Sequence, residues 1–195
     1  MNRRSSKQSR QNIIDSASRV FSIHGYAGTT MRMIADDAGI SVGGIYLYFK
    51  NKELLCLFLI REKFDEYLSI IETAIQSLDN PLDALRVYIN MSIEYAKQNR
   101  EFIITESREQ GFTFGIEMKK NFFKRQKALV MEIIRKGIDR GIFVRCNPEE
   151  VTKVIMGILR GFVLSVVVDP DNLFGPDECC RLILYGLLKT DEAIV

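Results

Sequence analysis

Apolar residues in this chain recur every three or four positions, the repeat of a single helix face. Leu57, Ile60, Phe64, Tyr67, Leu68, Ile71, Ile75 and Leu78 hold that step unbroken, predicting one long helix over about residues 51–78. Asn80-Pro81 restarts the chain, with Pro81 at a first helical position, Asp83 in the first turn, and Leu82, Leu85, Ile89 and Ile93 as the next stripe. A shorter helix is expected over residues 101–110, closed by Gly111, and another long one over about 115–139, ending near Gly141. Asn147-Pro148-Glu149-Glu150 joins a cap residue, a first-turn proline and carboxylates at the positive helix end. Behind it Val151, Val154, Ile155, Ile158, Leu159, Phe162, Val163 and Val166 make a broad apolar stripe, broken at Asp169-Pro170. Gly175-Pro176-Asp177-Glu178 opens a last helix carrying Leu182, Ile183, Leu184, Leu187 and Leu188. No segment reads as an alternating strand pair, so an all-α fold of about nine helices is predicted.

The first quarter has a different grain. Ile13, Ala17, Val20 and Phe21 form a stripe ending at His24-Gly25-Tyr26. Thr30 then caps a short helix, Gly39 supplies a tight turn, Ser41 caps again, and Val42 to Tyr48 make a second short helix. Two short helices across such a turn match the helix-turn-helix, whose second helix enters the major groove. Gly43 and Gly44 cost about 1 kcal/mol each relative to Ala inside a helix, which a helix approaching a DNA backbone can use as open access to its amides. Tyr46 and Tyr48 add hydroxyls, and Arg32 adds a cation. Lys52 sits in the first turn of the next helix, against the dipole, where a phosphate would explain it.

Charge sharpens this picture. The net charge of the 195 residues is only +2, yet residues 1–52 carry eight basic groups against three acidic ones, leaving −3 for the rest. A basic front points to a polyanion. The other composition figures, 47% hydrophobic and 27% charged, are those of an ordinary globular chain. The polar N-terminus lacks a secretory signal's apolar core, and the apolar stretch of residues 161–168 is too short to span a bilayer, so a cytoplasmic protein with no membrane partner is expected. Four scattered cysteines make no disulfide scaffold, and adjacent Cys179 and Cys180 diverge by about 100° on a helix, so they read as packing. The lone His24 has no metal-binding partners, and neither a metal nor a cofactor is expected. No nucleophile–base pair or phosphate loop supports an all-α enzyme, the weakest of the alternatives.

The residues of the front end also carry a resemblance. Phe21, Gly25-Tyr26, Thr29-Thr30, Ile34-Ala35, Ala38-Gly39-Ile40-Ser41, Gly43, Ile45-Tyr46, Tyr48-Phe49 and Asn51-Lys52-Glu53-Leu54 keep the order and spacing of the N-terminal signature of the TetR (tetracycline-repressor) family. By position, Thr30, Ser41, Val42, Gly43, Gly44, Tyr46, Tyr48 and Lys52 match that family's DNA-contacting residues. The resemblance implies a homodimer, a helix-turn-helix domain over residues 1–52, and an effector-binding and dimerisation domain over residues 53–195. It also implies a palindromic double-stranded DNA operator and a small-molecule effector that releases the protein from it. A reader acting without a small effector stands as the alternative.

Two sets of residues in the body are candidates for those roles. Phe64, Tyr67, Tyr88, Met91, Tyr95, Phe102, Met118 and Phe122, with Arg160 for an acidic group, fit a largely apolar effector pocket. Such an apolar, aromatic body leans toward a hydrophobic or amphipathic effector. Val151, Ile155, Ile158 and Phe162, with Ile183 and Leu187 of the last helix, fit a surface buried between subunits. The reading helix itself offers Val42, Gly44 and Leu47, few polar groups for bases. That shifts the expected sequence preference toward Arg32, Thr30 and apolar contact with thymine methyls.

Overall fold

The computed structural model describes residues 3–108 and 115–188, and every regular element among them is a helix. These are α1 (Arg3–Gly28), α2 (Met31–Asp37), α3 (Val42–Tyr46), α4 (Lys52–Gln76), α5 (Pro81–Gln98), α6 (Arg100–Arg108), α7 (Ile116–Asp139), α8 (Pro148–Val168) and α9 (Pro176–Leu187). The start signals act as expected. Asn80 accepts from the Leu82 N–H, and Asn147 from the N–H groups of Glu149 and Glu150. The close expected at Gly111 lies outside the described residues.

The chain divides into two compact units. One holds Met1–Asp65 with Glu101–Ile116; the other holds Glu66–Arg100 with Glu117–Val195. In the first, Ile13, Ala17, Val20, Phe21, Met31, Ile34, Ala35, Ile45, Phe49 and Leu55 form the buried core. Ala35 is fully buried, so its single methyl permits the close packing of these short helices. Arg10 lays its guanidinium 4.2 Å from the Phe58 ring centroid and 5.5 Å from that of Phe49, joining α1 to the start of α4.

In the second unit α5 packs against both α8 and α9. Helix α8 is long and apolar enough by length and composition to cross a membrane, which the shorter stretch of residues 161–168 does not indicate. Its faces nevertheless differ. Thr152, Ile155, Met156, Leu159, Phe162 and Val166 are buried in the unit's core, whereas Val154, Ile158, Leu164 and Val168 are exposed.

The end of α7 is held by a ring in a slot. Phe143 is buried, its N–H donates to Gly137 O at 3.0 Å, and a Cβ at Gly137 would lie 2.0 Å from the ring's Cδ2. Val144 N–H then donates to Leu187 O at 2.8 Å, tying this turn to the end of α9. Gly137→Ala should therefore overpack the site by about 2–3 kcal/mol and lower Tm by roughly 5–10 °C at fixed protein concentration. Circular dichroism melting checks this, and an unchanged Tm would mean that Phe143 is not seated there.

Candidate functional site

The reader is assembled from its backbone outward. Gly25 takes φ 67°, ψ 173°, interrupting α1 three residues before its end; the turn that follows keeps one long backbone bond, Thr29 N–H to Tyr26 O at 3.3 Å, and draws on side chains for the rest. Thr29 is buried, and its hydroxyl donates to Gly25 O at 2.6 Å, with Val20 O at 3.3 Å. From the first turn of α4 the Lys52 ammonium reaches back to Tyr26 O at 2.6 Å and Thr29 O at 2.8 Å, and lies 4.2 Å from the Tyr26 ring centroid. Charge-assisted bonds of this kind contribute about 1.5–3 kcal/mol each. A phosphate is therefore not needed to explain why a cation stands at the unfavourable end of α4. Two carbonyls of the α1–α2 turn account for it.

Helix α2 begins on Thr30, whose Oγ1 accepts from Met33 N–H at 3.2 Å. It ends in a Schellman motif: Gly39, at φ 66°, donates to Asp36 O, while Ile40 N–H donates to Ala35 O at 3.0 Å. Ser41 then caps α3 by accepting from Gly44 N–H at 3.1 Å. Each capping hydroxyl keeps its own proton for an outside acceptor. Arg19 binds Asp37 at 2.6 Å, and that guanidinium, together with Ser16, holds the Asp37 carboxyl below the usual carboxylate range.

The two glycines of α3 have different reasons. A Cβ at Gly44 would meet Ser41 Oγ at 3.2 Å, so its absence leaves room for the cap. A Cβ at Gly43 would meet nothing within 4 Å, so no contact inside the chain requires glycine there. Thr30, Arg32, Ser41, Gly43 and Tyr46 are exposed, while Val42, Gly44, Tyr48 and Lys52 are half-buried. Arg32 stands in the first turn of α2 without an ionic or hydrogen-bonding partner among the described residues.

In the body a connected polar network runs through the apolar interior. Ser92, which is buried, donates to Tyr88 O at 2.6 Å, so the hydroxyl of Tyr67, 2.8 Å away, donates to Ser92. The Tyr88 hydroxyl points to Met156 Sδ at 3.4 Å. Tyr67 packs edge-on against Tyr95 and Phe122, with centroids 4.9 and 5.6 Å apart, and Arg160 lies 4.3 Å from the Phe123 ring. Burial pushes the Tyr67 phenol up to about 12 and those of Tyr88 and Tyr95 upward as well, so all three stay neutral hydrogen-bonding groups near neutral pH. Met91 and Met118 are half-buried, Arg160 is exposed, and in the other unit Phe64 and Phe102 are each half-buried. Phe123 belongs to the same aromatic set of the middle helices that the sequence marks, whereas Ser92 and Met156 are not marked by its pattern; a serine one turn after Tyr88 inside an apolar stripe is the available signal for the first.

The proposed interface residues divide by face. Ile155, Phe162 and Leu187 belong to the chain's own buried core and cannot serve a partner, a correction to the expectation. Val151 and Ile183 are half-buried and Ile158 is exposed. The unpartnered stripe is Val154, Ile158, Leu164 and Val168 with Gly157 and Gly161 between them, and Leu182 and Tyr185 of α9 are exposed too. Cys179 and Cys180 are buried in α9; the Cys180 Sγ lies 3.0 Å from Asn90 Oδ1, and burial pushes its thiol up to about 11, leaving it protonated.

Comparison with known proteins falls on the same ground. The model of the family described as bacterial regulatory proteins, tetR family, matches residues 13–57. The uncharacterized HTH-type transcriptional regulator YfiR of Bacillus subtilis is 25% identical over 191 residues, 92% of each protein. The fatty acid degradation regulator FadR of Bacillus halodurans has 25% identity and a TM-score of 0.73, covering 91% of this chain and 98% of that one. The FadR of Bacillus subtilis, solved in complex with stearoyl-CoA, shares the fold at a TM-score of 0.74 and 23% identity, covering 90% and 98%. Likeness and local geometry agree: residues 13–57 form a helix-turn-helix segment of the tetR family of bacterial regulatory proteins, and the full-length proteins that the chain resembles are transcriptional regulators.

Proposed function

We propose that the protein is a cytoplasmic, ligand-responsive repressor that holds a palindromic operator as a homodimer and leaves it when a long-chain acyl thioester binds. Residues 1–52 read DNA, and residues 53–195 carry the effector and the partner subunit. The observation that carries the DNA half is the free face of the reader. Arg32 lacks a partner among the described residues, the hydroxyls of Thr30 and Ser41 keep a proton each, and Tyr46 is exposed, all on short helices clamped at both ends. These groups suit phosphate oxygens, with the two reading helices about 34–36 Å apart, one turn of DNA. Lys52 acts chiefly by orienting the reader, because its ammonium already holds two carbonyls.

The effector half is supported by the neutral phenols of buried Tyr67 and Tyr88 and half-buried Tyr95, by the neighbouring Phe122 and by Arg160. Such a set suits an acyl chain with a polar, anionic head. The stearoyl-CoA of one similar regulator has that chemistry. Binding to one of two body conformations would move the reading helices off the one-turn spacing. The dimer half is supported by the exposed apolar stripe of α8, continued by Leu182 and Tyr185, with glycines that allow close helix approach.

Electrophoretic shift of the DNA flanking the protein's own gene tests the reading. A specific complex over random DNA is expected, released by micromolar stearoyl-CoA; release by no acyl-CoA would leave a regulator without a small effector. In the same assay Arg32→Ala should reduce the slope of log K against log salt by about 0.9 for each phosphate that the guanidinium neutralises. Lys52→Gln should weaken binding at every salt concentration with the slope held. A slope that falls equally in Lys52→Gln would make Lys52 a phosphate ligand. Leu164 is 60% exposed, so Leu164→Asp should leave the helical spectrum intact and yield monomers in sedimentation; an unchanged dimer would move the interface elsewhere.

A further inference from the structure

Leu47 is the most exposed large apolar side chain among the described residues, at 77%. A single exposed leucine is ordinary on a protein surface; the place of this one is informative. It is the C-cap of α3 in helical conformation, φ −69° and ψ −24°, one turn beyond Gly43 on the same face. Several polar groups of the reader have local work, while Arg32 and Tyr46 are left for the phosphates proposed above. Ser41 and Thr30 cap their helices, Lys52 holds the α1–α2 turn, and Asp37 holds Arg19. Ile45 is buried, and Tyr46 turns about 100° away from Leu47. Within α3, the positions on the Leu47 face are Gly43 and Gly44, one turn back, and neither carries a side chain.

Among the groups that the four base pairs display in the major groove, one is apolar, the C5-methyl of thymine. We propose that Leu47 is a specificity-determining residue that seats against a thymine methyl in each operator half-site, so that this regulator selects its operator by methyl contact rather than by hydrogen bonds to base edges. The inference rests on the operator-binding reading above and names its sequence-reading group. Burying one methyl changes affinity about fourfold, and two half-sites together about fifteenfold.

The test uses the full-length protein. Its preferred sites are enriched from a random duplex library, and each thymine of the winning site is then replaced by deoxyuridine, which removes only the methyl. The expected result is one thymine per half-site whose replacement weakens wild-type binding about fourfold, fifteenfold for both, and a Leu47→Ala protein that binds the thymine and uracil sites equally. Wild-type binding indifferent to every replacement would overturn the assignment, as would a Leu47→Ala protein keeping the wild-type preference for thymine. Failure to enrich any sequence would instead bring down the operator reading and this proposal with it. Because Leu47 is exposed, circular dichroism of Leu47→Ala should match the wild type.

Discussion

Backbone carbonyls with no helix turn to satisfy them have to be captured before a helix-turn-helix can hold one geometry. Here the break at Gly25 leaves the turn between α1 and α2 with one long backbone bond, Thr29 N–H to Tyr26 O at 3.3 Å, and two side chains complete the capture. Thr29 takes Gly25 O, and the Lys52 ammonium takes Tyr26 O and Thr29 O while resting on the Tyr26 ring. That capture fixes where α2 begins and ties it to the first turn of α4. The reader's other devices follow from it: the Thr30 cap, the Schellman turn at Gly39 and the Ser41 cap each place the next helix relative to the last. A reader so short gains little from helix propensity, since α2 has 7 residues and α3 has 5. Its rigidity comes from caps and from the apolar core beneath.

The second unit uses a different principle. Helix α8 is apolar on two faces, one against its own core and one toward solvent. An open apolar stripe of this kind marks a surface suited to contact with another surface, the role proposed for it in the dimer. The phenols of Tyr67, Tyr88 and Tyr95 stand apart from both, as polar groups held neutral inside an apolar region.

The order of elements is legible in the chain because its signals are local. Asn80-Pro81 and Asn147-Pro148 start helices, and Gly39 ends one, through interactions spanning two to five residues. Thr30 and Ser41 likewise announce their caps. Lys52 reads correctly as misplaced for the dipole, but its partners lie 23 and 26 residues away, and no local pattern reveals them. Ile155, Phe162 and Leu187 fall on the opposite face from the one expected, for a related reason. Apolar residues on two faces of a helix do not say which face turns inward, and burial alone decides it. Gly43 and Gly44 look equivalent in sequence; the Ser41 hydroxyl beside one and open space beside the other separate them.

The central claim is that a clamped pair of short helices, duplicated by two-fold symmetry, engages one face of a DNA duplex. Hydroxyl-radical footprinting of the protein on its enriched site measures this most directly. Two matching protected patches are expected, centred about 10 base pairs apart on one side of the helix and related by a dyad. Protection spread evenly along the duplex, or a single patch without a symmetric mate, would contradict the account.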